Sequence, residues 1–451
     1  MANLTQLRMA AREIFQEALR AVDAGDAVRS AIRVEGPVLH VGPATIEIAN
    51  RKVYLIAVGK AEFPIFQLED ELGEFFAGGF LSGPSPGYGV SGQKAVALKP
   101  RTRWRMCEGG HPLPNKDSLI AAEAAFRLLD RANENHNVVV FLISGGGSAM
   151  IESPISEDIT LANLRMANKA LVTSGASIGE INSIRRAFSA VKGGRLAERA
   201  PNCDQITLII SDVPAGEEWN VASGPTISPP PAAPNAREVV EKYQLRSQLP
   251  DAILRAIDDE HEKSSAGNLG NLREHFVLLS NDDALEAAAS AALRRGCTAD
   301  IARNISDEPI ESGCEKLLQR LASSPAEADI CLISGGEFSC PVKGEGLGGR
   351  NLETALRLAI SAGSNTPDFV ALCSGTDGID GNSPAAGAIV DRTTIERAGK
   401  IGLDPTDFLD RSDAYSFFVA LGDAITTGAT GTNVRDLRIL LQSRDRKPNG
   451  T

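Results

Sequence analysis

Histidine and tryptophan are scarce in this chain, with five and two copies in 451 residues, and the histidines are scattered. A zinc site of histidine and cysteine is therefore not expected. Seven cysteines stand singly, at 107, 203, 297, 314, 331, 340 and 373, with no Cys-x-x-Cys pair and no tight, even spacing. They read as reduced thiols of a cytoplasmic protein, not as a disulfide framework. No apolar run approaches the roughly 20 residues that a membrane span needs. The N-terminal Met-Ala-Asn-Leu-Thr-Gln-Leu-Arg has no basic start followed by an apolar stretch, so no secretory signal is expected. Basic charge is in deficit as well, and the formal net charge is −12. That opposes binding to nucleic acid, whose phosphates need a basic surface, and leaves room for one small anion in a local cationic pocket. Familiar catalytic signatures are missing too. Gly59-Lys60 lacks the upstream glycine and the following hydroxyl residue of a Walker loop, and there is no His-Arg-Asp or Asp-Phe-Gly set. Neither Ser144 nor Ser148 sits in a Gly-x-Ser-x-Gly elbow.

What is present describes an ordinary globular chain, 43% hydrophobic and 23% charged, long enough for two domains. Residues 5–24 carry Leu7, Ala11, Ile14, Phe15, Ala18 and Val22 at helical spacing. Lys52 to Val58 reads as a short buried strand running into Gly59-Lys60-Ala61, and Ser118 to Arg131 as a helix. Ser82 to Gly89 is too rich in proline and glycine for regular structure. The continuous run Val138 to Ile143 suits a central parallel strand, buried on both faces. Ile206–Ile210, Ile330–Ile333 and Phe369–Cys373 read as further buried strands, and Phe276–Ser280, Ala284–Arg295 and Thr298–Ile301 as one β-α-β unit. Alternation of this kind implies an α/β protein with mainly parallel sheets. Prolines 225, 229, 230, 231 and 234 hold the chain extended and suggest a boundary, giving domains 1–235 and 236–451.

Three predicted strands run into Ser-Gly loops: Ser144-Gly145-Gly146-Gly147-Ser148, Ser334-Gly335-Gly336-Glu337 and Ser374-Gly375-Thr376-Asp377. Ligands of open α/β sheets bind beyond the carboxyl ends of strands, and such loops let backbone N–H groups approach an anion. A tight turn explains one of them; three at equivalent places favour a binding site. Residues 180–196 hold the cationic cluster that the net charge made worth seeking: Arg185, Arg186, Lys192 and Arg195, interleaved with Asn182 and Ser189. Arg185, Ser189 and Lys192 share a face by i, i+4, i+7 spacing, as a polar ligand wall or as a merely solvated one. Asp212 follows a buried strand, where a carboxylate can hold Mg²⁺ or cap the next turn. Gly344-x-Gly346-x-x-Gly349 satisfies the dinucleotide pattern without its strand or its acidic partner, and reads instead as a loop presenting Arg350 at a helix start. Asp377 and Asp380 lie among glycines in residues 374–381, and Thr432 and Asn433 end a further polar glycine loop before the strand Val434–Leu441.

Together these motifs resemble one family. Val58–Ala61, Gly110-His111-Pro112, Ile143–Ser148, Asn182–Gly194, Ser211–Pro214 and Ala222–Pro225 are similar to the N-terminal domain of the type II glycerate kinases. Ser334–Glu337, Gly348–Glu353, Gly375–Gly381 and Thr430–Val434 are similar to that family's C-terminal MOFRL domain. The resemblance implies a larger Rossmann-like N-terminal domain, a smaller MOFRL domain and an active site in the cleft between them. It implies ATP and Mg²⁺ as cofactors and transfer of a phosphoryl group to the 2-hydroxyl of D-glycerate or a related hydroxy acid. Lys60 would correspond to the family's essential lysine and Arg350 to its partner arginine, with Asp212 as a third catalytic residue and Asp212 and Asp377 as candidate metal ligands. Ser144–Ser148, Asn182, Arg185, Lys192, Ser334, Gly335, Glu337, Thr376, Asp377, Asp380, Thr432 and Asn433 would face nucleotide or substrate. The expected partners are thus small molecules, with neither nucleic acid nor membrane, and self-association is left open. Two alternatives stand beside the kinase. One is a hydroxypyruvate reductase using a nicotinamide cofactor, a label some family members carry; the other is a hydroxy-acid binding protein without catalysis. The chain departs from the family after Asp212-Val213-Pro214, where Gly-Asp-Asp is usual and Ala215-Gly216-Glu217-Glu218 stands, and again over residues 81–106. The departure predicts a different loop path, with Gly216 taking the turn and the two glutamates shaping the pocket or facing solvent.

Overall fold

The computed structural model describes residues 4–84, 103–259, 271–324, 329–362 and 369–443, so most of the atypical stretch 81–106 lies outside the described residues. The chain divides into two compact units. One holds residues 24–84 and 103–278; the other holds residues 4–23 together with 279–443.

The first unit opens with a small antiparallel meander, β1 (Ile32–Glu35), β2 (Val38–Val41) and β3 (Ala44–Glu47). Its main sheet has six strands: β4 (Val53–Val58), β5 (Phe76–Gly83), β6 (Trp104–Glu108), β7 (Val138–Ser144), β8 (Asp204–Ile210) and β9 (Arg273–Leu279). Their order is β6-β5-β4-β7-β8-β9. The pairs β5–β6, β4–β5, β4–β7 and β7–β8 are parallel. Every residue of β7 is buried, which is why its sequence is an unbroken apolar run with no alternation. Counted from β4, the order is 3-2-1-4-5-6, and the sheet reverses its winding between β4 and β7. The loops leaving the carboxyl ends of those two strands are the Lys60 loop and the Ser144–Ser148 loop.

The second sheet is mixed, which corrects the expectation of parallel pairing there. Its strands are β10 (Thr298–Ile301), β11 (Ile330–Ser334), β12 (Phe369–Gly375), β13 (Gly387–Asp391), β14 (Ala424–Ile425) and β15 (Asp436–Gln442), ordered β10-β11-β15-β12-β13-β14. Only β10–β11 is parallel; β15 is inserted antiparallel between β11 and β12. The carboxyl ends of β11 and β12 therefore meet the amino end of β15 at one edge. The helix Leu4–Ala21 belongs to this sheet's core: Leu7, Ala11, Ile14, Phe15 and Ala18 pack with Leu285, Val370, Leu372 and Ile439.

Two further expectations change. The β-α-β unit at 276–301 has its elements in place, but β9 lies in the first sheet and β10 in the second, so the helix Asn281–Arg294 connects two sheets. The division falls between Leu278 and Leu279 instead of at 235. The reason is the helices Ala236–Lys242 and Asp251–Asp258, which bury Val239, Val240, Ile253 and Ile257 against Leu164, Leu171 and Ile184 of the first unit. The proline stretch before them is a surface loop within that unit. Among the described residues, no helix is long and apolar enough to cross a membrane.

Candidate active site

At the carboxyl edge of the first sheet, four segments converge around one glycine turn. Lys60 N–H donates to Gly145 O at 2.9 Å, and Ala61 N–H donates to Ser144 Oγ at 2.9 Å, which ties the lysine loop to the Ser144–Ser148 loop. Gly146 takes φ +80°, and a Cβ there would lie 2.7 Å from Lys60 Cγ; a Cβ on Gly145 would lie 1.9 Å from Asp212 Oδ2. No side chain fits at either place. Lys60 and Asp212 thus flank consecutive glycines. Ser144 is wholly buried, and its hydroxyl oxygen accepts from the lysine loop. Ser148 Oγ is 2.8 Å from Ser223 Oγ, which donates to Asn182 Oδ1 at 2.8 Å.

The helix Ile178–Ala187 supplies the next wall. Ser177 and Glu180 form its capping box, and Arg185 and Arg186 occupy its last turn, where cations suit the helix dipole. Arg185 Nε donates to Asn168 Oδ1 at 2.9 Å and its Nη1 to Asn182 Oδ1 at 3.3 Å. Arg186 stacks on Trp219 at 4.7 Å and donates to Asn220 Oδ1. The helix ends at Ala187, so Ser189 and Lys192 do not continue the Arg185 face, contrary to expectation. Lys192 is 1% exposed and paired with Glu152, which also accepts from Ser189 Oγ at 2.5 Å. It is a buried structural pair and is withdrawn from the ligand wall.

His111, outside the candidate set read from sequence, stands at this site. Its loop follows β6, and the N–H groups of Gly110 and Asn115 both donate to Ser118 Oγ at 3.0 Å. The imidazole edge is exposed, yet the surrounding protein is dense enough that desolvation pushes its pKa down to about 4, helped by the positive charges of Lys60 and Arg185 and opposed by the Gly146 backbone. The ring is therefore neutral near pH 7, and Lys60, Arg185 and Gly146 lie around it. The only sequence signal for it was the Gly110-His111-Pro112 motif.

After Asp212 the loop turns at Gly216. Gly216 takes φ +88°. Glu218 accepts from the Gly216 N–H at 2.9 Å, and Glu217 accepts from Asn220 Nδ2 at 3.4 Å, so both carboxylates are turned onto their own loop.

The second unit gathers its motifs differently. Arg350 opens the helix Arg350–Ser361, and its guanidinium is held by two carboxylates: Nε donates to Asp436 Oδ2 at 2.6 Å, and Nη2 pairs with Glu337 at 2.6 Å. Burial lowers the guanidinium pKa, but Asp436 and Glu337 more than offset it and the net shift is upward. Asp380 does not face a ligand. It caps the helix, accepting from the N–H groups of Asn351 at 3.1 Å and Leu352 at 2.8 Å. Burial raises its pKa to about 7, with Asp436 adding and the N–H donors opposing. Thr376 is likewise internal; its hydroxyl accepts from Val434 N–H at 2.9 Å and donates to Arg435 O at 2.6 Å. Ser334 Oγ donates to Ile305 O, and the Gly335-Gly336 turn rests on the buried Arg438, whose Nη2 donates to Gly335 O at 2.6 Å. Asp377 Oδ1 accepts from Ile379 N–H at 3.1 Å, and Asn433 Oδ1 from Arg435 N–H at 3.1 Å. The Thr432 hydroxyl is buried without a hydrogen-bond partner among the described residues. Gly344 and Gly346 pack against the Arg411 backbone in a loop that begins after β11 ends at Ser334, so no strand runs into them as a dinucleotide turn requires.

Among the described residues there is no cluster of three or more His, Cys, Asp or Glu able to hold a metal by protein alone. A single carboxylate such as Asp212, beside the glycine turn, fits an ion held chiefly by ligand phosphates.

Comparison with known proteins matches both units. A family model described as a domain of unknown function, DUF4147, covers residues 10–258, and the MOFRL family model covers residues 330–436. The glycerate 2-kinase of Pyrococcus horikoshii is 34% identical over 442 residues, spanning 95% of this chain and 96% of its own. A protein of Agrobacterium vitis, provisionally named a hydroxypyruvate reductase, is 37% identical over 352 residues, 76% of this chain and 78% of its own. The crystal structure of a glycerate kinase from Thermotoga maritima superposes with a TM-score of 0.77 at 32% identity, covering 97% of this chain and all of that one.

Proposed function

This chain belongs to the glycerate kinase family, and from that premise we propose that it transfers the γ-phosphoryl group of ATP to the 2-hydroxyl of D-glycerate or a closely related hydroxy acid. The observation that carries the reading is the Gly146 turn, closed against Lys60 and bonded to His111, whose ring feels both Lys60 and Arg185, at the point where the first sheet reverses its winding. The strand order supports reading that sheet as Rossmann-like, and such a reversal is where ligands settle. Phosphoryl transfer asks a protein for position and charge neutralisation more than for covalent chemistry. Lys60 supplies positive charge, and the backbone of Gly145–Gly147 approaches the phosphate where no side chain intervenes. Asp212 orients Lys60 or holds Mg²⁺, which when bound would neutralise phosphate charge. His111 stays neutral, so it adds no charge and can accept a hydrogen bond from a hydroxyl. The seven cysteines are all free, which supports a reducing, cytoplasmic setting.

The test is an assay of the purified protein with ATP, Mg²⁺ and a panel of hydroxy acids, following ADP release. D-Glycerate should release ADP, and enolase should consume the product, identifying the 2-phosphate. Oxidation of a nicotinamide cofactor by hydroxypyruvate, without ADP release from any hydroxy acid, would overturn the kinase reading.

A further inference from the structure

Arg185 is a cation without a counterion. Its two hydrogen-bond partners, Asn168 Oδ1 and Asn182 Oδ1, are neutral amide oxygens. No carboxylate lies within ion-pair distance of it among the described residues. The carboxylate whose field it feels, Glu152, is already taken by Lys192 and Ser189. Burial lowers the Arg185 pKa to about 10, so the guanidinium is crowded by protein and remains charged near pH 7. Its orientation is also fixed. Nε and one N–H of Nη1 are spent on the two amides, and those amides are anchored in turn: Asn168 Nδ2 donates to Leu164 O at 2.9 Å, and Asn182 Nδ2 to Asn220 O at 3.3 Å. The end of the fork, Nη2 with the other N–H of Nη1, is left over. A largely buried guanidinium gripped from behind by neutral acceptors is built to receive a planar anion end-on.

We propose that Arg185 is the specificity residue that takes the carboxylate of the hydroxy acid through its Nη1–Nη2 edge. This assignment rests on the kinase reading and deepens it by dividing the cations between two anions. Arg185 selects the acceptor, and Lys60, which also acts on His111, serves the transferring phosphate. A neutral polyol offers nothing to Arg185 and leaves a desolvated cation unpaired, so acids are preferred over alcohols of the same skeleton.

The experiment measures initial rates of ADP release for wild type, Arg185→Gln and Arg185→Lys, with D-glycerate and with glycerol as acceptors and with ATP varied separately. Removing a charged partner from a desolvated pair typically gives a large loss, so Arg185→Gln should raise the KM for glycerate by about 10²-fold. The KM for ATP should stay within about twofold, and the preference for glycerate over glycerol should collapse, since specificity is a difference of the two affinities. Arg185→Lys keeps the charge and loses the fork, and should raise the glycerate KM by roughly tenfold. It also guards against a glutamine variant that fails to fold. A raised KM for ATP with an unchanged KM for glycerate overturns the assignment and gives Arg185 to the nucleotide. Unchanged KM values for both overturn it as well, while wild-type turnover of glycerate leaves the kinase reading standing. Wild type that releases no ADP with any hydroxy acid removes both.

Discussion

The two units each present an arginine at the carboxyl edge of a sheet, and they hold it in opposite ways. In the first, Arg185 is gripped by two asparagines and keeps its charge uncompensated. In the second, Arg350 is gripped by Asp436 and Glu337 and is neutralised before any ligand arrives. An amide clamp fixes direction and leaves the field intact. A carboxylate clamp fixes direction and cancels the field, so an incoming phosphate must displace one of the acids to be felt. The exposures suggest which. Asp436 is 3% exposed and Glu337 34% exposed, so Asp436 is the anchor and Glu337 the exchangeable partner.

The severest test of this contrast removes a cation of the first unit outright. Lys60→Ala should lower kcat by about 10²-fold or more, the scale of lost charge stabilisation in a transition state, with an unchanged melting temperature. A fall in stability of the same standing would make Lys60 a structural residue. Asp212→Asn should come next, reducing kcat and raising the Mg²⁺ requirement together in a magnesium titration at saturating ATP. The third test separates the two acids of the second unit. Asp436→Asn leaves Arg350 without its buried partner and should lower unfolding stability by about 2–3 kcal/mol, less than for a wholly buried pair because Arg350 keeps part of its surface in water. Glu337→Gln should leave urea unfolding almost unmoved and lower the KM for ATP severalfold. If the glutamine variant binds ATP more weakly, Glu337 is no placeholder and the contrast fails.

A smaller effect reports on the first cluster directly. His111 should titrate at about pH 4 by NMR, well under the ordinary imidazole value, and Lys60→Met should move its midpoint upward by removing a neighbouring positive charge. A base held below its unfolded value favours the fold above about pH 6.5 and loses that contribution as pH falls toward 4. An unchanged midpoint in the Met variant would place Lys60 away from the ring. Least should come from Glu217→Gln and Glu218→Gln, whose carboxylates serve their own loop; each should shift kcat and Mg²⁺ dependence only modestly. Should either raise the Mg²⁺ requirement as far as Asp212→Asn, the loop carries the ion.

Sequence was most informative where one local cause dominates. Val138–Ile143 and Ile330–Ile333 are strands because burial on both faces demands an unbroken apolar run, and that run is visible in one dimension. The glycine turn at 145–147 was legible for a similar reason, since close approach leaves only glycine. What escaped reading depends on partners far along the chain. β15 lies antiparallel between β11 and β12, and nothing in residues 436–442 states the direction of its neighbours. Asp380 looked like a ligand because its work, capping a helix that begins 30 residues earlier, is tertiary. Lys192 looked like a wall because helical spacing was extended past Ala187, where the helix stops. His111 joins Lys60, Arg185 and Gly146 from three other segments, and only the fold brings them together.

The helix Leu4–Ala21 is made well before the elements it packs with. Its apolar face meets β12 and β15, and β15 ends at Gln442. At ordinary translation rates of about 5–20 residues per second, roughly 20–80 seconds separate the two on the ribosome. Early in that interval residues 24–278 can complete their own core, while Leu7, Ile14 and Phe15 wait first for Leu285 and its helix and then for the strands. A nascent chain halted before β15 emerges would carry that helix with its apolar face only partly covered. A fragment beginning at residue 279 would inherit the matching scar, a sheet face stripped of that helix.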